Sequence, residues 1–142
     1  MNILSIKKKN IYFKWFLIDV KNKILGRIAS KIAIILRGKF KKNFFPNINI
    51  GDYVIVINAK YLKISGKKKI NKIYYKHSGF PGGISKINFF EMQKKFPCLI
   101  LKKAIKGMLP KGPLGYKIIK KLKVYSCNVH PHIAQQPKIL NF

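Results

Sequence analysis

The chain has 142 residues, of which 31 are Lys or Arg and 3 are Asp or Glu, so its formal net charge is +28 at pH 7. Three acids cannot supply both paired carboxylates for acid–base catalysis and a carboxylate metal site, which excludes most ordinary enzymes. Because 48% of the residues are apolar, the chain can still build a core. Its length predicts one domain over residues 1–142, with a basic N-terminal segment at 1–14 and an extended tail at 126–142. The excess charge predicts a polyanionic partner.

The first part of the chain predicts a β-α-β unit. Trp15–Val20 is a short apolar run typical of a buried strand, and Leu25 to Gly38 carries apolar residues at helical spacing with a terminal glycine. The β-branched run Tyr53–Ile57 predicts a central strand parallel to the first. The intervening loop Lys39–Gly51 mixes Lys with Phe and is too long for a tight connection, which is typical of a binding segment.

The middle of the chain changes character. Lys67–Lys72 is basic and leads into Ile73–His77, which predicts a third strand or an extended arm. The sequence SGFPGG at 78–83 then predicts a turn.

The later elements are shorter and richer in Gly and Pro. Phe89–Gly107 predicts a helix that is interrupted near Pro97. The segment GMLPKGPLG at 107–115 is not expected to form regular structure, whereas 116–121 predicts a short helix and 122–125 a last strand. The whole pattern indicates an α/β fold with basic, Gly/Pro-rich loops.

Motifs for a cofactor are missing. The turn at 19–26 contains Gly26 but no GxGxxG, and neither Gly38-Lys39 nor Gly66-Lys67 belongs to a P-loop. We therefore predict no cofactor.

Three residues of the tail carry zinc-binding donor atoms, namely Cys127, His130 and His132. Structural zinc needs four ligands, and Cys98 and His77 are isolated in the sequence, so no metal site is predicted. We interpret His130 and His132 instead as residues that contact phosphate or stack on bases. The two cysteines form neither a disulfide framework nor a CxxC pair and are typical of thiols in a reducing compartment.

Lysines cluster with aromatic, Gly and Pro residues in four segments, at 39–45, 67–75, 102–111 and 117–123. Lysines can neutralise phosphates there, while Gly and Pro let the backbone approach a folded nucleic acid closely. A merely solvated surface would have acids interspersed among the lysines. The nucleic-acid-binding residues predicted from two of these segments are Lys39, Lys41, Lys42, Lys67, Lys68 and Lys69.

The run IKGMLPKGPLGYKIIKKLKVYSCN at 105–128 closely resembles the signature of the universal large-ribosomal-subunit protein L-thirteen family, bacterial type. Three further stretches of the chain have the order and spacing of that family, namely LGRIASKIAIILRGK at 25–39, GDYVIVINA at 51–59 and HPHIAQQP at 130–137. Tyr116 stands where relatives commonly carry Arg, which favours stacking over a charged contact at that position.

The resemblance implies a three-layer α/β/α fold around a small, mainly parallel four-stranded sheet. It also implies a non-enzymatic structural constituent of the large ribosomal subunit that binds large-subunit ribosomal RNA, contacts neighbouring large-subunit proteins and supports early assembly and translation. Some relatives also bind their own mRNA and repress its translation. Positions in the family motifs imply further RNA contacts from Arg27, Lys31, Arg37, Tyr75, His77, Lys106, Lys111, Lys120, Lys121 and Lys123.

Two other function classes are weighed against this one. A nucleotide-dependent enzyme acting on RNA would need a cofactor loop and acids that the sequence lacks, and a general DNA-compacting protein would need only the charge. No stretch approaches the roughly 18 to 20 charge-free apolar residues of a spanning helix, so a membrane partner is not expected. The abundance of Lys, Ile and Asn, with Arg only at 27 and 37, indicates an AT-rich genome. A bacterial cytoplasmic ribosome and an organellar one both fit that origin.

Overall fold

The computed structural model describes residues 11–142, so most of the basic N-terminal segment lies outside the described residues. These described residues form six strands and five helices. The strands are β1 (Trp15–Asp19), β2 (Tyr53–Ile57), β3 (Ile73–His77), β4 (Ile84–Asn88), β5 (Leu122–Val124) and β6 (Lys138–Leu140). The helices are α1 (Leu25–Arg37), α2 (Lys68–Asn71), α3 (Phe89–Lys95), α4 (Pro97–Met108) and α5 (Pro113–Ile119), and a short 3-10 turn follows β2 at Ala59–Tyr61. Their order along the chain is β1-α1-β2-α2-β3-β4-α3-α4-α5-β5-β6.

Four of the strands form one parallel sheet in the order β5-β2-β1-β6. β1 and β2 are paired along their whole length, from Trp15 opposite Tyr53 to Asp19 opposite Ile57. α1 connects these two strands, so the β-α-β unit predicted from the sequence is confirmed. Its predicted stop is confirmed as well, because Gly38 ends the helix in the left-handed conformation with φ 79°.

The core lies between one face of the sheet and the helices. Alternation along the strands points Ile18 and Val56 to that face, where they join a cluster of buried apolar residues from α1, α4 and α5. Ile32 of α1, Leu101 of α4 and Ile118 of α5 are almost completely buried in this cluster.

The opposite face of the sheet is covered in part by the C-terminal tail. Trp15 stacks on Tyr53 with ring centroids 4.4 Å apart, and the ring of His132 lies 5.5 Å from Trp15. Ile55, which points to this face, is fully buried. The small three-layer α/β architecture with a parallel four-stranded sheet is therefore confirmed.

Two strands are placed differently from a simple four-strand interpretation of the sequence. The third strand predicted at Ile73–His77 is confirmed, but it pairs antiparallel with β4 in a separate two-stranded sheet and does not join the parallel one. The fourth strand of the main sheet is β6, in a tail that was expected only to be extended. β6 is three residues long and mostly exposed, with Ile139 at 70% relative exposure, so no apolar alternation marks it in the sequence.

The prediction of no regular structure over 107–115 was wrong at both ends. α4 continues to Met108, and α5 begins at Pro113, which shortens the irregular part to Leu109–Gly112. Proline fits the first turn of a helix because the backbone N–H that it lacks has no helical partner there. The segment breaks one helix and starts the next.

Close backbone packing joins α1 to the strand that follows it. Gly51 lies against the end of α1, where an added Cβ would collide with the carbonyl oxygen of Leu36. Since this neighbour is backbone inside a helix, it cannot move aside as a flexible side chain could.

Replacing Gly51 by Ala should therefore lower the free energy of unfolding by about 3 kcal/mol or more, at the upper end of overpacking effects. Gly107→Ala is the matched control, because a Cβ there meets no atom within 4 Å and the residue is helical. It should be neutral or stabilise by up to about 1 kcal/mol. Urea unfolding followed by circular dichroism measures both variants, and equal stabilities would contradict the packing argument.

Candidate nucleic-acid interface

The three acids leave most of the positive charge without a partner. Asp52 is buried, accepts a hydrogen bond from the Lys14 amide at 2.8 Å and forms an ion pair of 2.7 Å with Lys41. Asp19 accepts hydrogen bonds from Asn58 and a backbone amide of the following turn. Within residues 11–142, the Lys41–Asp52 contact is the single ion pair. The surface is therefore strongly positive.

Two residues predicted to bind RNA, the buried Lys121 and the half-buried Lys41, make polar contacts within the protein. Lys121 is buried, and its ammonium donates to the Gly51 carbonyl oxygen at 2.6 Å. Lys41 donates to the carbonyl oxygens of Tyr12 and Ile50 in addition to its ion pair. The position of Lys121 does not fit a phosphate contact, and we do not include it in the proposed interface.

Burial lowers the pKa of Lys121 to about 8, because desolvation disfavours its charged form. The nearby Lys41 charge acts in the same direction, and Asp52 opposes both. The Lys121 ammonium also lies 3.9 Å from the ring centroid of Phe13 and 5.5 Å from that of Tyr53. Aromatic faces and a carbonyl oxygen thus surround the charge.

Most of the other predicted residues have side chains in contact with solvent. The exposed ones are Arg27, Lys31, Lys39, Lys42, Lys67, Lys68, Lys69, Tyr75, His77, Lys106, Lys111 and Lys120. Half-buried ones are Arg37, Lys123, His130 and His132. The exposed group extends over α1, α2, the β3–β4 arm and the α4–α5 connection.

The outer face of α1 carries three of these cations, which do not have the same freedom. Arg27 is exposed in the first turn. The Lys31 ammonium lies 4.8 Å from the Phe142 ring centroid, and the Arg37 guanidinium lies 5.8 Å from that of Phe44. Arg37 Nε is buried without a hydrogen-bond partner among residues 11–142, so this side chain is folded onto the loop that follows the helix.

Lys106, in the last turn of α4, and Lys111, in the connection to α5, lie at one tight turn of the chain. Gly112 has φ 108°, which favours glycine, and a Cβ on Gly115 would collide with the Pro110 carbonyl oxygen. Lys106 places its ammonium 5.2 Å from the ring centroid of Tyr116, which is exposed. Tyr116 thereby offers an aromatic face beside two cations.

The β3–β4 arm carries the predicted Tyr75 and His77. Tyr75 is 65% exposed, and Phe80 at the tip is 74% exposed. His77 Nδ1 accepts a hydrogen bond from the Gly79 amide at 2.8 Å, which orders the start of the tip. The arm therefore projects aromatic side chains that are available for stacking.

The two tail histidines make contacts within the protein. His132 Nε2 lies 2.7 Å from the Tyr125 hydroxyl, and the His132 amide donates to His130 Nδ1 at 3.3 Å. The contact with Tyr125 and the packing of His132 on Trp15 hold the tail on the sheet, a role that sequence reasoning missed, whereas the contact with His130 lies within the tail. That His130 and His132 contact phosphate or stack on bases stays a prediction.

A cleft of about 610 Å³ separates the start of α1, the segment around α2 and the end of α4. Arg27 and Lys68 line it, as predicted residues, together with Lys72 and Lys103. Sequence reasoning did not single out the last two, although both lie in the basic segments at 67–75 and 102–111. Their convergence depends on the packing of α4 against α1, which a local pattern does not reveal.

The described part of the chain indicates neither a metal-binding site nor a reactive thiol. Across residues 11–142, no three side chains of His, Cys, Asp or Glu come together as a metal site would require. The pKa of the Cys98 thiol is raised, mainly by burial and against the opposing charge of Lys102. No helix in the same range is long and apolar enough to cross a membrane.

Comparison with known proteins identifies the family to which the chain is similar. Residues 13–131 match the family model described as Ribosomal protein L13. The large ribosomal subunit protein uL13 of Delftia acidovorans is 55% identical over 140 residues, which cover 99% of both chains. That of Albidiferax ferrireducens is 56% identical over 136 residues, 96% of this chain and 95% of the relative.

The chain belongs to the ribosomal protein L13 family. The resemblance predicted from the motif at 105–128 is therefore confirmed, including its bacterial type. In this member of the L13 family, Lys106 of α4, Lys111 of the connection and Tyr116 of α5 line one small surface pocket.

The lowered pKa of Lys121 predicts a pH dependence of stability. Between about pH 8 and 10.5 the unfolded chain binds more protons at this residue than the folded chain, so the unfavourable contribution of Lys121 to folding decreases as pH rises. The free energy of unfolding of the native protein should rise in this range relative to that of Lys121→Met. Urea unfolding from pH 7 to 10 measures the difference.

Lys120→Met is the control, because Lys120 is an exposed neighbour of equal formal charge. The difference between the native protein and this variant should stay flat over the same range. Parallel curves for the native protein and Lys121→Met would contradict the burial of a charged lysine.

Proposed function

We propose that the chain is a structural constituent of the large ribosomal subunit and binds large-subunit ribosomal RNA. The observation that carries this proposal is membership of the L13 family. Relatives that match the chain over almost their whole length are named large ribosomal subunit protein uL13. The exposed cations on α1, α2 and the α4–α5 loop supply the physical means of binding.

Binding is electrostatic first. Lysines whose charge no acid neutralises replace the counterions of RNA phosphates, and the release of those ions favours association. The ordered loop at Lys106–Tyr116 and the arm at Tyr75 add contacts that depend on the shape of a folded RNA. The protein thereby stabilises one fold of the RNA, which is the role expected early in subunit assembly.

The finer parts of this proposal follow from the same surface. The proposed function is non-enzymatic. Two of the three acids, Asp52 and Asp19, are engaged in structural contacts, so no pair of carboxylates is left for acid–base catalysis. The protein works in the ribosome, in the cytoplasm, beside neighbouring large-subunit proteins. Its own mRNA is a second RNA ligand if that mRNA folds into a similar distribution of phosphates.

The affinity for large-subunit ribosomal RNA should fall steeply with salt. Neutralising about 6 to 10 phosphates predicts a loss of about three to five decades in the association constant between about 50 and 200 mM salt. Filter binding over that range measures the slope. A flat titration, or equal affinity for duplex DNA of the same length, would contradict the proposal.

Lys111→Ala should weaken incorporation into large subunits without unfolding the protein, because Lys111 is exposed at the α4–α5 loop. Losing one phosphate contact reduces the salt slope by about one unit. Lys95→Ala is the matched control, since this exposed lysine at the end of α3 lies outside the predicted interface. Co-sedimentation with large subunits after a high-salt wash compares the two variants, and equal retention would remove Lys111 from the interface.

A further inference from the structure

The cleft between α1 and α4 has the size of a site for a small organic group. Its volume of about 610 Å³ falls within the roughly 300 to 1,000 Å³ of typical ligand pockets. It is bounded by the start of α1 at Leu25–Arg27, by the chain from Ile64 to Lys72 and by the last turns of α4.

The lining divides into a cationic part and an apolar part. Arg27, Lys68, Lys72 and Lys103 supply four positive charges, and none of the lining residues is acidic. The remaining lining is largely aliphatic and includes Met108, which is 47% exposed. A ligand that fits both parts has an apolar or aromatic body joined to an anion.

Two of the four cations are positioned by an aromatic ring. The ammonium groups of Lys72 and Lys103 lie 5.4 and 5.1 Å from the ring centroid of Tyr74. Burial raises the pKa of the Tyr74 hydroxyl further above neutral pH, so this side chain carries no charge beside them. α1 begins at the cleft without an acid in its first turn, and its dipole therefore adds positive potential there.

We propose that this cleft binds a single unpaired nucleotide of large-subunit ribosomal RNA. The phosphate lies among the four cations, and the base lies against the apolar lining near Met108. Stacked, paired bases cannot present a face to a concave site of this size, whereas an extruded nucleotide can. This inference rests on the proposed function. It adds the recognition of one unpaired base at one place on the surface, which phosphate neutralisation alone does not provide.

Gly107 offers a way to block the cleft without disturbing the core. It lines the cleft within α4, and a Cβ at this position meets no atom within 4 Å. Gly107→Leu should fill the space intended for the base and keep the helix, since Leu favours helix more than Gly. Gly107→Ala keeps most of the space and is the control for the change in helix propensity.

The experiment is 2′-hydroxyl acylation of transcribed large-subunit ribosomal RNA, alone and with each protein. The native protein and Gly107→Ala should suppress the reactivity of one or two unpaired nucleotides. Gly107→Leu should restore that reactivity, keep the rest of the footprint and lower affinity by about tenfold, the effect of one lost base contact. Lys103→Ala should weaken the same protection, and Lys95→Ala should leave it intact.

The outcomes separate this inference from the proposed function. If the native protein gives no footprint on the RNA, the proposed function fails. If it gives a footprint that Gly107→Leu leaves unchanged while circular dichroism shows a folded variant, only the assignment of the cleft fails. A separate titration with AMP and UMP should show much weaker binding than that of the RNA, and binding of either as tight as that of the RNA would overturn the RNA assignment in favour of a free nucleotide.

Discussion

The scarcity of acids governs the whole molecule. With three carboxylates against 31 basic side chains, a lysine cannot ordinarily find an ion-pair partner, so it must stay in water or have its charge accommodated by other groups. In the described structure the buried carboxylate of Asp52 pairs with Lys41, at the point where β2 begins beside the end of α1. Most of the other described basic residues lie at the surface, and their mutual repulsion opposes compaction until a polyanion binds.

Where lysines do enter the interior, backbone oxygens and aromatic rings replace the missing acids. Lys121 donates to Gly51 and lies against Phe13, while Lys41 adds carbonyl contacts to its ion pair. This arrangement needs the backbone of Gly51 to approach the end of α1 closely, which the absence of a side chain allows. The same glycine therefore serves the packing of helix on sheet and the solvation of a buried charge.

Local patterns predicted the elements that carry their own signal. The apolar runs of β1 and β2, the periodicity of α1 and the break at Pro97 are visible residue by residue, and the structure confirms them. β6 has no such signal, because pairing with β1 alone makes it a strand. Counting charges likewise cannot distinguish an exposed lysine from a buried one. Lys120 and Lys121 are adjacent in the sequence just before β5, yet Lys120 is exposed and Lys121 is buried. The cleft was beyond prediction for a related reason, since its cations come from separate elements that tertiary packing brings together.

Aromatic rings also explain how so positive a surface can be ordered without being neutralised. Lys103 beside Tyr74, Lys94 beside Phe90 and Lys106 beside Tyr116 each hold an ammonium near a ring face. A carboxylate in the same place would order the lysine equally well, but it would cancel the charge that a phosphate needs. A cation–π contact restricts the side chain and leaves its full charge for the ligand. Less side-chain entropy is then lost on binding, so the rings that flank the lysines improve affinity for RNA without contacting a phosphate themselves.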